Sequence, residues 1–366
     1  MTKEASFKRA VRKRARETGE RYTQARAAMD KGASGVPVVR PLPFEHAALR
    51  SHLEQRYGIR ISGMEGISFP SWRHRPSTLR VTREDGPPWV ARVYSSPGDS
   101  VGRVEGDAEI LRFLASHDFP AERLAHPDPV SVFNGAAVIV TEFVDGHPTD
   151  DGRLESPAVT YELAGLLGRL HSLPAAGGAM ARDGGSYEFD GLYLGRPKQD
   201  LAAAMNALVS VEDAVSSEGR ATFERLRDLV ENADDAEGLP EALIHGHYHA
   251  WAAVGKPGSI VVVGWAGAGR GPRIAPLGWL LKTSAEAGPD HVDAAVRGYR
   301  EHVELTDEEI ERLGEVINMK SYFLMCFDYR NAVLGGQTPT VDEVSWVAAL
   351  DRDKELSARL IAAFKS

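Results

Sequence analysis

Several residue types and patterns on which whole classes of protein depend are scarce in this sequence. It holds one cysteine, Cys326, among 366 residues, which excludes an internal disulfide and a cysteine-rich zinc cluster. No apolar run approaches the roughly 20 residues needed to cross a bilayer. The first residues are basic and lack the apolar core of a signal peptide. From these absences we expect a cytoplasmic protein without a membrane partner.

Negative charge predominates, but it is unevenly distributed. The net charge of −9 argues against a general nucleic-acid binder. Residues 1–31 nevertheless carry ten Lys/Arg against four Asp/Glu, a net +6, which leaves −15 for the remainder. Residues 6–26, within this segment, resemble a small module of actinobacterial proteins. A solvated basic extension and a contact with nucleic acid or a partner both stay open for it.

The apolar patterning changes from strands to helices along the chain. Alternating and β-branched runs predict strands at 78–82, 89–94 and 136–144. Thr306 and Glu309 form a capping-box pattern at the start of a helix. The predicted helices cover 44–57, 104–116, 158–172, 201–211, 220–232, 291–302, 307–318 and 319–333, with one or two more in 342–364.

The stretch 239–281 has the most informative pattern. The β-branched run 260–263 is typical of a short, fully buried strand. The sequence HGHYH precedes it at 245–249, and GWAGAGRG follows it at 264–271. Polar or glycine-rich loops therefore flank both ends of a buried strand, an arrangement that suits a catalytic centre.

This stretch resembles the aminoglycoside phosphotransferase-like family of kinase-fold proteins. That family has a catalytic loop H-[GP]-D-x-x-x-x-N, then a hairpin, then [IV]-D-W and a segment A-G-R-G. His245, Gly246, Trp265 and residues 268–271 fit this pattern, and the helix ending in LGRLH at 167–171 is a further match. The resemblance covers roughly residues 44–335.

The resemblance implies a bilobal α+β kinase-like fold. We expect a small antiparallel β-sheet lobe at 44–145 and a mainly helical lobe at 146–366. A short basic helical extension and linker, 1–43, would precede them. The resemblance also implies ATP and magnesium as cofactors and a small molecule as the partner. The oligomeric state stays open.

The resemblance further implies a nucleotide-binding set of residues. Arg92 stands where kinases have the phosphate-binding lysine, with Glu105, Asp107 or Glu109 as candidate partners on the following helix. Glu142 and Val144 would offer backbone groups to an adenine. On the substrate side, Arg270 and Arg273 could bind an anion through their guanidinium groups.

Three positions depart from the family pattern. His247 stands where the catalytic aspartate belongs, Ala252 where the asparagine belongs, and Gly264 where the metal-binding aspartate belongs. Ala252 and Gly264 offer no side-chain oxygen to magnesium, which takes oxygen ligands. His247 offers nitrogen, which suits transition metals better, although a neutral imidazole can also act as a general base.

Three hypotheses follow for the function. The one we favour is a pseudokinase-like family member that binds a small molecule or partner with little or no phosphoryl transfer. The second is an active ATP-dependent small-molecule O-phosphotransferase that uses His247 as its catalytic residue. The third is a metal-dependent enzyme of another class, in which His247 and His249 chelate a transition metal from an extended segment.

Overall fold

The structure is a computed structural model that describes residues 46–67, 77–94, 100–146, 156–174, 177–184, 196–246, 248–338 and 346–365. The chain divides into two compact units, Met1–His52 and Leu53–Ser366. The predicted basic extension, 1–43, lies outside the described residues. The lobe boundary predicted between residues 145 and 146 stays a prediction. None of the helices in the described residues has an apolar stretch long enough to cross a membrane.

A five-stranded antiparallel sheet occupies the first part of the second unit. Its strand order is β1-β2-β3-β5-β4, and every neighbouring pair is antiparallel. β5 was predicted to reach residue 144 and ends two residues earlier. The strands are β1 (Ile61–Gly66), β2 (Ser77–Arg83), β3 (Trp89–Tyr94), β4 (Val130–Phe133) and β5 (Ala136–Glu142).

Outside this sheet, the described residues are mainly helical. In the described residues the helices are α1 (His46–Tyr57), α2 (Ser100–Ser116), α3 (Pro157–Ser172), α4 (Pro197–Val209), α5 (Arg220–Glu231), α6 (Ile274–Ala287), α7 (Pro289–Arg300), α8 (Asp307–Leu334) and α9 (Trp346–Lys365). α2 packs on the sheet, and the helices from α3 onward form the helical part. The predicted small antiparallel sheet followed by a mainly helical part is therefore present.

One pair of predicted helices is a single element. The segments 307–318 and 319–333 form the continuous helix α8. Asn318, at the predicted break, donates its side-chain amide to the Gly314 carbonyl one turn earlier at 3.3 Å. Its side chain therefore satisfies a group inside the helix and does not end it. The first half of α8 contributes to the same buried cluster as α6, and its second half to a cluster with α4 and α5.

Two small sheets shape the stretch that carries the family motifs. β6 (Glu241–Ile244) pairs with β9 (Gly269–Pro272), and β7 (Ala253–Val254) pairs with β8 (Val261–Val262), both antiparallel. The predicted fully buried strand 260–263 was wrong in extent. β8 is two residues long because it pairs only with the two residues of β7 in a tight hairpin, and its Val261 is half-buried.

One core connects the sheet to the helical part. The largest cluster of buried apolar residues includes Tyr94 and Ile139 of the sheet, Phe119 after α2, and Trp265 and Leu277 of the helical part. Apolar burial contributes roughly 25 cal/mol per Å². The sheet and helices therefore stabilise one another along this seam, where the motif loops also lie.

The start of α8 combines a cap with a buried ion pair. The predicted capping box is confirmed: the Thr306 hydroxyl accepts from the Glu309 N–H, and Glu309 accepts from the Thr306 N–H. Glu309, fully buried, also binds Arg273 through both carboxylate oxygens at 2.7 Å. One carboxylate thus caps a helix and fixes the end of the glycine-rich segment.

We predict that Glu309→Ala destabilises the fold much more than loss of the cap alone. Removing one partner of a buried ion pair costs about 3–5 kcal/mol of unfolding free energy, whereas Thr306→Ala costs about 1 kcal/mol. Glu308→Ala is the matched control, because Glu308 is exposed and pairs with Arg312 at the surface; it should cost less than about 1 kcal/mol. Urea unfolding of the three variants measures these differences, and a Glu309→Ala cost equal to the control would contradict this role.

Candidate functional site

His245 and Trp265 form the buried aromatic frame of the motif loops. The two rings lie 4.8 Å apart in an edge-on arrangement. A His245 ring nitrogen, Nε2, is 3.2 Å from the Val263 carbonyl, and the Trp265 indole donates to the Val262 carbonyl at 3.0 Å. Each ring thereby binds the backbone at the end of β8. The frame that the sequence motifs predicted is present.

Gly246 lets the two motif loops approach each other. A Cβ at this position would lie 3.1 Å from the Ala266 carbonyl oxygen and 3.2 Å from that of Gly267. Those distances are shorter than ordinary van der Waals contact, so any side chain would push the loops apart. The His245–Gly246 pair of the motif therefore has a packing role that does not depend on catalysis.

At positions 252 and 264 the family motif has side chains with oxygen atoms that bind the metal. Neither position carries a side-chain oxygen in this protein. Ala252 is buried, and its N–H donates to the His249 carbonyl at 2.9 Å. Gly264 follows β8 with a φ of +82°, in the left-handed region that favours glycine. A Cβ there would meet nothing within 4 Å, so space alone does not exclude a side chain. His247 lies outside the described residues, and its catalytic and metal roles stay predictions.

The carboxylate that pairs with Arg92 is Glu122, in the segment between α2 and β4. Arg92 Nη2 donates to Glu122 Oε2 at 2.7 Å. The Thr141 hydroxyl of β5 donates to the same oxygen at 3.0 Å. The other oxygen, Oε1, accepts from the Gly264 N–H at 2.8 Å. One buried carboxylate thus connects β3, β5 and the loop after β8; we call Arg92, Glu122, Thr141 and Gly264 the Glu122 network.

The Glu122 network is shielded from water. The Glu122 side chain is 2% exposed and that of Arg92 13%. Although burial lowers the pKa of the Arg92 guanidinium, the Glu122 carboxylate more than compensates, so this pKa lies above its ordinary value. Arg92 is therefore a permanent cation whose charge Glu122 balances at short range.

The backbone fixes Glu122 in this position. The Glu122 N–H donates to the Val262 carbonyl at 3.0 Å, and the Val262 N–H donates to the Pro120 carbonyl at 2.8 Å. Ala121 and Val262 form a parallel β-bridge. Residues 120–122 therefore run alongside β8, and this pairing holds the backbone that carries the Glu122 carboxylate.

Helix α2 does not provide the partner of Arg92 that the sequence predicted from Glu105, Asp107 or Glu109. Asp107 instead forms an ion pair with Arg182. The Glu109 carboxylate accepts from the Ala179 N–H at 3.1 Å, and Glu105 is exposed. A local pattern could not identify Glu122, because its pairing depends on the distant β8 and β3.

Arg182 connects α2 to the glycine-rich segment. Besides Asp107, it binds the Arg103 carbonyl through Nη1 at 2.8 Å and the Ala268 carbonyl through Nε at 2.9 Å. Arg182, which was not among the predicted site residues, therefore binds Asp107 of α2. This gives a physical reason for the pairing of Arg92 with Glu122 instead.

The predicted adenine-binding residues lie at the end of β5. The Glu142 N–H donates to the Arg123 carbonyl at 2.8 Å, and the next N–H, of Phe143, donates to the Pro88 carbonyl at 3.0 Å. Val144 is half-buried. An adenine could therefore use the N–H of Glu142 only by displacing Arg123, and the roles of Glu142 and Val144 stay predictions.

The predicted substrate-side arginines form ion pairs within the chain. Arg270 Nε lies 2.5 Å from Glu241 Oε2, and Arg273 binds Glu309 as described above. The bond to Glu309 is the main reason that the pKa of the Arg273 guanidinium lies above its ordinary value. Roles for Arg270 and Arg273 with a substrate anion stay predictions.

Two other histidines of the motif regions are buried. His171 has a ring nitrogen, Nδ1, 2.9 Å from the Tyr299 hydroxyl. Burial lowers the pKa of His171 to about 3, with a smaller contribution from Arg273, so the ring is neutral at physiological pH and has a structural role. His249 is buried as well. Among the described residues, which omit His247, no group of three or more His, Cys, Asp and Glu side chains could hold a metal ion.

The comparison with protein families places the sequence in a known group. The model of a phosphotransferase enzyme family, APH, matches residues 66–313, well over half of the chain. The chain belongs to this phosphotransferase family. No curated protein matched the sequence.

Solved structures of the family share the fold. A spectinomycin phosphotransferase, solved with ADP and spectinomycin, has a TM-score of 0.57 at 14% identity, covering 88% of this chain and 99% of its own. An amicoumacin kinase, solved with AMP-PNP, Ca²⁺ and Ami, has a TM-score of 0.54 at 15% identity, covering 86% and 96%. An aminoglycoside-3′-phosphotransferase of type VIII has a TM-score of 0.52 at 22% identity, covering 76% and 100%. The predicted bilobal kinase-like α+β fold is confirmed.

The described residues of the site do not fit a magnesium-bound nucleotide. Ala252 and Gly264 offer no side-chain oxygen, and Glu122 already uses both carboxylate oxygens as acceptors. Magnesium requires near-octahedral oxygen coordination.

We predict that Gly264→Ala costs about 1 kcal/mol of unfolding free energy, because a Cβ is strained in the left-handed region. The matched control is Gly135→Ala in the β4–β5 turn, where φ is +80° and a Cβ would also meet nothing within 4 Å. Urea unfolding should show the same loss of unfolding free energy in both variants. A Gly264→Ala protein as stable as the natural one would contradict the backbone conformation described after β8.

Proposed function

We propose that this phosphotransferase-family member binds a small molecule or a partner in its cleft with little or no phosphoryl transfer. One observation carries the proposal: Ala252 and Gly264, which stand where the family has magnesium ligands, offer only carbon and backbone atoms. Phosphoryl transfer is mostly positioning and charge stabilisation by cations. Without these oxygen ligands, the chain does not hold the magnesium ion that assists phosphoryl transfer in the family.

The ligands of solved family members motivate the small-molecule part of the proposal. One was solved with ADP and spectinomycin, and another with AMP-PNP, Ca²⁺ and Ami. A cleft of the same fold can keep a binding function after losing the groups needed for transfer, because binding needs shape and polar contacts, whereas transfer also needs the metal. We propose no specific ligand. Nucleic-acid contact remains an open role only for the basic residues 1–31.

His247 carries the two alternatives. As a neutral imidazole it could replace the catalytic aspartate as a general base, a role worth roughly 10²–10⁴ in rate, and the protein would then be an atypical O-phosphotransferase. With His249 it could instead chelate a transition metal. A zinc site normally has at least three protein ligands, so the metal-dependent alternative requires a third ligand from elsewhere in the chain.

We predict no magnesium-dependent ATP turnover above background when the purified protein is incubated with aminoglycoside-like acceptors. The reason is the absence of side-chain oxygen at Ala252 and Gly264. Turnover is measured as ADP release and as transfer of labelled γ-phosphate. Restoring the motif with His247→Asp, Ala252→Asn and Gly264→Asp together should produce at most weak metal–nucleotide binding, because the new carboxylate at 264 lies beside Glu122.

The His247→Ala variant separates the alternatives in the same assay. Robust turnover by the natural protein that His247→Ala abolishes would refute the proposal and support the atypical phosphotransferase. A stoichiometric metal that copurifies with the natural protein and is lost in His247→Ala would support the metal-dependent enzyme. Under our proposal, metal is substoichiometric and a mild chelator removes it without unfolding the chain.

A further inference from the structure

We propose that Glu122 is a built-in substitute for a bound phosphate, which closes the anion site formed by Arg92, Thr141 and Gly264. The cleft would accordingly select ligands that bring no phosphate to this position. The inference rests on the proposed function, because it takes the cleft of that proposal to be the binding site. It assigns a specificity-determining role to Glu122, which lies outside the family's catalytic motifs.

The donors around Glu122 are those of an oxyanion site. Its two oxygens accept from a guanidinium at 2.7 Å, a hydroxyl at 3.0 Å and a backbone N–H at 2.8 Å. Guanidinium groups and backbone N–H groups are also the usual donors to phosphate oxygens. The same three donors could therefore bind a phosphate if the carboxylate were removed.

Occupancy and charge together carry the exclusion. Kinases pair the β3 cation with a carboxylate and still bind phosphate, but Glu122 also occupies the Thr141 hydroxyl and the Gly264 N–H. An incoming phosphate therefore finds these donors taken and meets a carboxylate of its own sign. Like charges repel strongly where water is excluded, and the side chains of Arg92 and Glu122 are largely buried. A neutral or cationic ligand does not suffer this repulsion.

The position of Glu122 is fixed, so the exclusion is permanent and not a state of a mobile side chain. The pairing of residues 120–122 with Val262 holds the backbone on the side of β8. The acid on α2 that could otherwise pair with the β3 cation is Asp107, which binds Arg182. The binding of phosphate would therefore require a break in the Glu122 network.

The test is anion binding to Glu122→Ala, measured as a thermal shift in a buffer without phosphate or sulfate. Inorganic phosphate is the main probe. Acetate is the second probe, because it has the shape of the removed CH₂–COO⁻ group. At 10 mM, about tenfold or more above the dissociation constant we expect, each anion should raise the melting temperature of Glu122→Ala by about 3 °C. The natural protein should shift by less than about 1 °C. Choline chloride at equal ionic strength corrects for screening.

Two further variants serve as controls. Glu122→Asp keeps the negative charge beside Arg92, so phosphate should not stabilise it. The double variant Arg92→Leu with Glu122→Leu removes the cation as well, so neither anion should stabilise it. Replacing both partners by apolar residues is often tolerated. A phosphate shift in either control equal to that of Glu122→Ala would overturn the proposal.

The folding of the variant is part of the test. Glu122→Ala leaves Arg92 without its carboxylate, so Glu122→Ser, whose small neutral side chain also vacates the site, is measured in parallel. Phosphate should stabilise Glu122→Ser more than the natural protein. Equal shifts of the natural protein and both neutral variants would overturn the proposal. Acetate stabilisation of Glu122→Ala without phosphate stabilisation would do so too, because the site would then accept a carboxylate alone.

Failure of this inference is distinguishable from failure of the proposed function. The thermal shift needs neither ATP nor an acceptor, whereas the proposed function is decided by turnover. Absence of turnover together with no anion effect would leave the proposed function standing without the role of Glu122. Turnover by the natural protein would refute the proposed function whatever the anion result.

Discussion

The short contacts of the Glu122 carboxylate are the constraint on which the site depends. A buried ion pair costs much desolvation, and removing one partner typically costs about 3–5 kcal/mol. Here the pair is completed by a hydroxyl and a backbone N–H, so no charged atom of Glu122 lacks a donor. The network joins two strands of the sheet to the loop after β8.

The sequence predicted the fold far better than the site. Strand alternation, helix periodicity and the Thr306–Glu309 box are local patterns, and each identified its element to within a few residues. The errors in the predicted bounds arose where contacts between distant segments outweigh the local sequence pattern. The segments 307–318 and 319–333, predicted as two helices, form one, within which Asn318 bonds back to Gly314. The run 260–263 forms only a two-residue strand, which pairs with the two-residue β7 in a tight hairpin.

The partner of Arg92 could not be predicted, for a physical reason. Kinase-like patterns point to an acid on α2, and three acids were available there. The choice depends on Arg182, which draws Asp107 away, and on the pairing of residues 120–122 with β8. Both are contacts between segments about 70 to 140 residues apart, and neither has a signature in local composition. By contrast, the absent ligands at 252 and 264 were readable directly, because an alanine or glycine excludes a side-chain oxygen wherever the chain folds.

Calorimetric titration with ATP, with and without magnesium, tests the central claim that this cleft has lost metal-assisted phosphate binding. The account predicts that magnesium leaves the ATP dissociation constant unchanged within about twofold, because the described ligand positions hold no oxygen-bearing side chain and Glu122 opposes the phosphates. Tightening of ATP binding by tenfold or more on adding magnesium, equivalent to about 1.4 kcal/mol, would contradict it.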